Sequence, residues 1–249
     1  MSGHSKWNSI KHKKGAADAK RGKIFTKHAK LITIATRDGG GDPEMNPGLR
    51  SAITNAKADN VPNANIEKAI KKGEGADKDG AIYEEVMYEG FGPAGTAVYI
   101  QVITDNKNRS VSGIKTAFNK NGGNMSEAGT VGWMFERKGM IMAKAPDMDE
   151  DELELIAIDS GAEDMEKEGK DFEITTMDTS LMKVRDNLEE NGFKVEKAEL
   201  SYLPKNPVKI DELEDAKKVL RLIEALEDDD DVANVYSNMD ISEEMISQL

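Results

Sequence analysis

Eight cations crowd into the first 27 residues: Lys6, Lys11, Lys13, Lys14, Lys20, Arg21, Lys23 and Lys27. Trp7 stands among them, and His4, Ser5 and His12 add polar groups. Dense positive charge on an adaptable segment suits phosphate, because each neutralised phosphate releases counterions, with a salt slope of about −0.9 per contact on duplex. An indole can stack on a base, worth about 1–3 kcal/mol. A purely solvated tail needs no tryptophan, whereas a tail docked on an acidic body would use Trp7 as a packing anchor. These twelve residues are the expected nucleic-acid contacts. A second candidate lies at Asp105-Asn106-Lys107-Asn108-Arg109-Ser110, between a strand and a helix start. There the helix-start amides, Asn106 and Arg109 could hold phosphate, with capping by Asp105 or Asn106 as the competing reading.

Other constellations carry no chemistry. Gly90-Phe91-Gly92-Pro93-Ala94-Gly95 fits G-x-G-x-x-G, but a strand rather than a helix follows it, so it reads as a turn and not a dinucleotide site. Gly39-Gly40-Gly41 lacks the Gly-Lys-Ser/Thr of a phosphate loop. The acid clusters at 147–154 and 227–231 lack calcium-loop spacing and nearby histidine, and read as solvated faces. His4, His12 and His28 have no carboxylate partners close in sequence, so a triad has no support. With no cysteine, disulfides, thiolate metal sites and cysteine nucleophiles are excluded. The expectation is a non-enzyme without cofactor, metal or small-molecule substrate.

Net charge is −13, which by itself argues against nucleic acid. Its distribution reverses that reading. Residues 1–37 hold ten Lys or Arg against one acid, Asp18, for a formal +9, while the other 212 residues hold 24 basic and 46 acidic groups, for −22. Such polarity lets one end meet phosphate while the body repels it. No apolar run approaches a membrane span of about 18 residues, and the first residues have no apolar core of a secretory signal. The chain is read as cytoplasmic, with no membrane partner, and as a monomer.

The elements that must position these residues follow from periodicity. An arm over 1–16 precedes a helix at about 17–37, with Ile24, His28, Leu31, Ile32 and Ala35 on one face. Asn46-Pro47 starts a second helix, and a third runs from 63 to a stop at Gly73. After a polar linker at 73–80, strands are expected at 86–88, 97–104 and 131–137, with a helix at 106–121. Residues 139–204 then read as βαββαβ, a ferredoxin-like module. An amphipathic helix at 211–227 and a strand at 232–236 cannot bury an apolar face alone. They are expected to return and complete the unit at 83–137. The fold class is therefore α+β with three domains: an N-terminal three-helix bundle and two ferredoxin-like α/β domains, the second inserted into the first. The expected boundaries are 1–78, 79–137 plus 206–239, and 138–205.

Gly3-His4-Ser5-Lys6-Trp7, the run from Asp18 through Phe25, Gly39-Gly40-Gly41-Asp42-Pro43, Asn46-Pro47, Tyr88-Glu89-Gly90-Phe91-Gly92-Pro93, Asp105-Asn106-Lys107-Asn108-Arg109 and Gly122-Gly123-Asn124 together resemble the YebC family. That family includes the PmpR-type bacterial regulators and the mitochondrial translational activator of cytochrome oxidase. The resemblance spans nearly the whole chain and is most specific in its first 130 residues. It implies three domains and a DNA-binding transcriptional regulator. It also implies a second reading, a ribosome-associated translation factor that binds ribosomal RNA and eases passage through proline-rich stretches. For the DNA reading, the helices at 46–57 and 63–72 would form a helix-turn-helix with Asn65, Lys68, Lys71 and Lys72 toward a groove. For the RNA reading, the arm and Trp7 suit irregular single strands.

Overall fold

The computed structural model describes residues 18–75, 82–168 and 171–248. Helix α1 (Asp18–Gly39), α2 (Pro47–Ala58) and α3 (Asn63–Gly73) come first. Asn46 organises their first junction. Its Oδ1 accepts from the Leu49 N–H at 3.0 Å as the N-cap of α2, while Nδ2 donates to the Ala35 and Gly40 carbonyls at 2.8 Å each. A Cβ on Gly39 would lie 2.6 Å from that Nδ2, so only glycine permits the approach. Ile32, Leu49, Ala56, Val61, Ile66 and Ala69 form the buried side of the three helices. Helix α3 ends against α1: a Cβ on Gly73 would lie 2.5 Å from Thr36 Cβ.

Strands β1 (Glu84–Phe91) and β2 (Ala97–Thr104) follow, then α4 (Lys107–Lys120) and β3 (Asn124–Ser126). Next come β4 (Phe135–Lys144), α5 (Glu150–Ser160), β5 (Asp164–Glu168), β6 (Asp171–Met177), α6 (Leu181–Glu190) and β7 (Lys194–Pro204). The chain closes with β8 (Val208–Lys209), α7 (Leu213–Glu227), β9 (Val232–Ser237), β10 (Met239–Asp240) and α8 (Glu243–Ile246).

Two four-stranded sheets result, ordered β3-β1-β2-β9 and β5-β6-β4-β7. The second is βαββαβ with its first and third strands central, the ferredoxin-like order. The first sheet has the same spatial order. There the strand that would stand third in such a chain, β1, stands first and joins β2 by a hairpin. Strand β9 pairs antiparallel with β2, Ile100 opposite Val235. One face of α7, with Ala216, Val219, Leu220, Ile223 and Leu226, is buried with Val98, Ile100 and Val102 of β2 and Ile114 and Phe118 of α4. The second sheet buries Ile141, Phe172 and Ile174 against Leu153 and Ala157 of α5 and Val184 and Leu188 of α6. The fold is α+β, a helical N-terminal region and two ferredoxin-like modules, the second inserted within the first. By packing, the described residues form two compact units: 18–27, 82–136 and 203–248, and 28–75, 137–168 and 171–202.

The strand expected at 131–137 is a correction. The third strand of the first sheet is β3, residues Gly132–Met134 form a 3-10 turn, and β4 begins only at Phe135. The Glu89 carboxylate causes this. It accepts the N–H groups of Gly129 at 2.8 Å, Val131 at 2.6 Å and Gly132 at 3.0 Å, folding that segment around itself instead of into a ladder. The G-x-G-x-x-G segment is the β1–β2 turn, with Ala94 at φ 56° and Gly95 at φ 73°.

Candidate nucleic-acid interface

His4, Ser5, Lys6, Trp7, Lys11, His12, Lys13 and Lys14 lie outside the described residues. Lys20 and Arg21 fall on the first turns of α1. Lys23 and Lys27, the next cations along α1, are held by the C-terminal end of α7. Lys23 Nζ donates to the Asp228 carbonyl at 2.7 Å and lies 3.4 Å from its carboxylate; Lys27 Nζ donates to the Glu227 carbonyl at 2.8 Å. A helix C-terminus leaves carbonyls unsatisfied and carries partial negative charge, so two ammonium groups are at home there. These bonds hold α1 at Lys23 and Lys27 to the end of α7.

Asn106 and Arg109 are engaged internally. Asn106 Oδ1 accepts the Arg109 N–H at 3.1 Å, the N-cap of α4. The Arg109 guanidinium meets the Asp231 carboxylate through Nε at 3.0 Å and Nη2 at 2.8 Å, and Asp105 at 2.8 Å. Ser110 Oγ and Thr104 Oγ1 donate to the same Asp231 carboxylate at 2.8 and 3.1 Å. Asp231 is buried, and it ties the end of β2 and the start of α4 to the entry of β9. The two carboxylates hold the Arg109 pKa above its already high value, chiefly through their hydrogen bonds, Asp231 first. Asn106 thus caps α4, and Arg109 commits two of its nitrogens to Asp231 while 56% of its side chain stays exposed.

In the second unit, α2 and α3 meet across a turn at 59–62 with Asn60 at φ 59°. Asn65, Lys68 and Lys71 on α3 are exposed, Lys72 is half-buried, and Glu67 interrupts the face. An open cleft of about 450 Å³ beside them is lined by Arg50, Thr54, Lys57, Asn63 and Glu67 among others. His28 is buried, its Nε2 2.6 Å from Asp59 Oδ2. That carboxylate partner is distant in sequence, which is why spacing alone could not pair them.

Three functional-grade features escaped the sequence reading. The buried Glu89 cradle has only one signal, the glycines at 129 and 132 that let backbone crowd a carboxylate. Trp133, hidden in an expected strand, is 62% exposed. Asn55 reaches the backbone of Ala198 on β7, a partner that no local pattern announces. Among the described residues no cluster of three or more metal-ligating side chains is assembled, and no helix is long and apolar enough to cross a membrane.

Comparison with known proteins places this geometry. Residues 5–76 match the model described as the TACO1/YebC protein N-terminal domain, and residues 83–239 the model described as the TACO1/YebC second and third domain. A probable transcriptional regulatory protein of Geotalea uraniireducens is 54% identical over 250 residues, covering all of both chains. One from Fusobacterium nucleatum is 50% identical over 249 residues, again covering all of both. The crystal structure of a conserved hypothetical protein from Aquifex aeolicus superposes with a TM-score of 0.83 at 45% identity, covering 91% of this chain and 93% of that one. With both of its segments matched in order and full-length relatives at half identity, the chain belongs to the TACO1/YebC family.

Proposed function

We propose that this chain is a non-catalytic, nucleic-acid-binding regulator of gene expression that grips phosphate with its basic N-terminal segment. The observation that carries the reading is the charge asymmetry, +9 over residues 1–37 against −22 elsewhere, with Trp7 in the positive part. The contacts proposed are His4, Ser5, Lys6, Trp7, Lys11, His12, Lys13, Lys14, Lys20 and Arg21, with Lys23 and Lys27 anchoring the segment to α7. Relatives named probable transcriptional regulatory proteins support DNA as the target. The exposed Asn65, Lys68 and Lys71 of α3 are the surface that would reach a groove. The domain boundaries proposed are 1–78, 79–137 with 206–239, and 138–205.

One observation favours ribosomal RNA as the alternative. A tryptophan among lysines suits unpaired bases better than a duplex. Binding of the full chain to duplex DNA, single-stranded RNA and purified ribosomes at a series of salt concentrations tests both. DNA regulation requires sequence preference in competition at fixed salt. Ribosome binding requires co-sedimentation at moderate salt. Affinity for none of them refutes the proposal.

A further inference from the structure

Trp133 leaves 62% of its surface in solvent, yet it is held firmly. Its indole N–H donates to the Thr130 carbonyl at 2.9 Å, which fixes the ring's orientation. The next residues are anchored on both sides. The Met134 N–H donates to the Val131 carbonyl at 2.9 Å, and the Phe135 ring is buried and stacks on Tyr99 at 5.7 Å. Behind the segment stands the Glu89 carboxylate with its three amide N–H groups. The Lys205 N–H donates to the Met134 carbonyl at 2.8 Å, so the backbone of that exposed lysine lies against the residue that follows Trp133.

From this arrangement we infer that Trp133 and Lys205 form a stacking platform for an unpaired nucleotide of a single-stranded nucleic acid. A rigid aromatic face loses little entropy when a base lies on it, and a neighbouring ammonium supplies the phosphate partner. A protein hot spot is a poorer match. It wants an aromatic set within a closely packed, water-excluding rim. In the first unit, the one other exposed large hydrophobic side chain among the described residues is Ile82. The residues flanking Trp133 and Lys205, including Thr130, Glu136 and Asn206, are polar. Glu136 also limits any broad positive field there, so the attraction rests on stacking and on Lys205. This inference relies on the nucleic-acid reading above but adds a second contact, one that selects unpaired strands, which lysines of the basic segment do not do.

The chain has two tryptophans, so Trp7→Phe leaves Trp133 as the sole emitter. That variant is titrated with fluorescein-labelled 12-nucleotide oligouridylate, oligothymidylate and a mixed-sequence duplex, reading label anisotropy and tryptophan emission together. The expected result is emission quenching by a single strand but not by the duplex. Adding Trp133→Ala lowers single-strand affinity on the order of tenfold, with duplex affinity and the thermal midpoint unchanged, and Trp133→Phe restores most of the loss. Quenching by either single strand supports the platform and identifies which sugar it accepts. Single-strand binding without quenching, and with equal affinity in the Trp133→Ala variant, overturns the platform while leaving the nucleic-acid reading intact. Absence of anisotropy change with all three probes, in the unsubstituted chain as in the Trp7→Phe variant, overturns both.

Discussion

The side-chain amide of Asn55 on α2 pairs with both backbone groups of Ala198 on β7. Nδ2 donates to the Ala198 carbonyl and the Ala198 N–H donates to Oδ1, each at 3.0 Å. Ser51 Oγ, one turn earlier, donates to the same carbonyl. Strand β7 is an edge of its sheet, and an edge presents unpaired donors and acceptors that invite another chain. A helix side chain here does part of what a further strand would do. Asn55→Ala is expected to destabilise the protein by about 1–3 kcal/mol, because it leaves buried backbone groups unsatisfied. Urea denaturation measures this, and light scattering reports any new edge-to-edge association.

Asp231 is the hub for Arg109, Ser110 and Thr104, and it is 4% exposed. Asp231→Ala strands these donors. The expected loss is about 2–3 kcal/mol, discounted because the Arg109 side chain reaches water. Arg109→Lys keeps the charge but loses the two-nitrogen geometry on Asp231. It is expected to lower stability while leaving nucleic-acid affinity unchanged. A specific fall in affinity at unchanged stability, by anisotropy and thermal melting, would return Arg109 to the set of phosphate contacts.

Glu89 gives a pH dependence of known sign. Burial pushes its carboxyl up, but the N–H groups of Gly129, Val131, Gly132 and Thr130 outweigh that and hold it below its ordinary value of 4.5. A depressed folded pKa means the stabilisation is complete above about 4.5 and fades as pH falls through the folded value. Trp133 emission is therefore expected to shift in acid before global unfolding. Glu89→Gln places an amide N–H₂ among donors, costs about 1–3 kcal/mol, and removes that acid shift from the emission profile.

The basic segment makes a salt prediction. Combining Lys13→Ala and Lys14→Ala is expected to reduce the slope of log affinity against log salt by about two, near 0.9 per phosphate on duplex. Lys23→Ala should act differently. It frees the C-terminal carbonyl end of α7 and loosens the segment's attachment, so the thermal midpoint falls along with affinity. Filter binding across a salt series separates the two effects.

Sequence periodicity located the helices and most strands because each buries one face. The 213, 216, 220, 223 spacing of α7, of which Ala216, Leu220 and Ile223 are buried, and the glycine stop at Gly161, φ 103°, are local signals with local outcomes. The insertion was legible because an orphan helix and strand must bury their apolar faces somewhere. The 131–137 segment was misread because apolar residues at 131, 133 and 135 alternate as in a strand, while the group that bends them, Glu89, lies on another element. At the candidate site, composition alone revealed the cations. Apart from Asp105, four residues before Arg109, the partners of Lys23, Lys27 and Arg109 are contributed from residues 227–231, and no window of sequence contains both sides of those contacts.

The pairing of β2 with β9 also sets an order of assembly. As the polypeptide is made, β1, β2 and β3 emerge well before their sheet can be finished, because the strand that covers β2 is near the other terminus. Meanwhile β4 through β7 form an uninterrupted stretch and have everything needed to close. The inserted module is therefore expected to mature first on a nascent chain, with Val98, Ile100 and Val102 still waiting for α7 and β9. A product cut short after β7 would carry one completed sheet and one adhesive one. Residues 213–237, made after the inserted module is finished, decide whether the apolar face of β2 is ever covered.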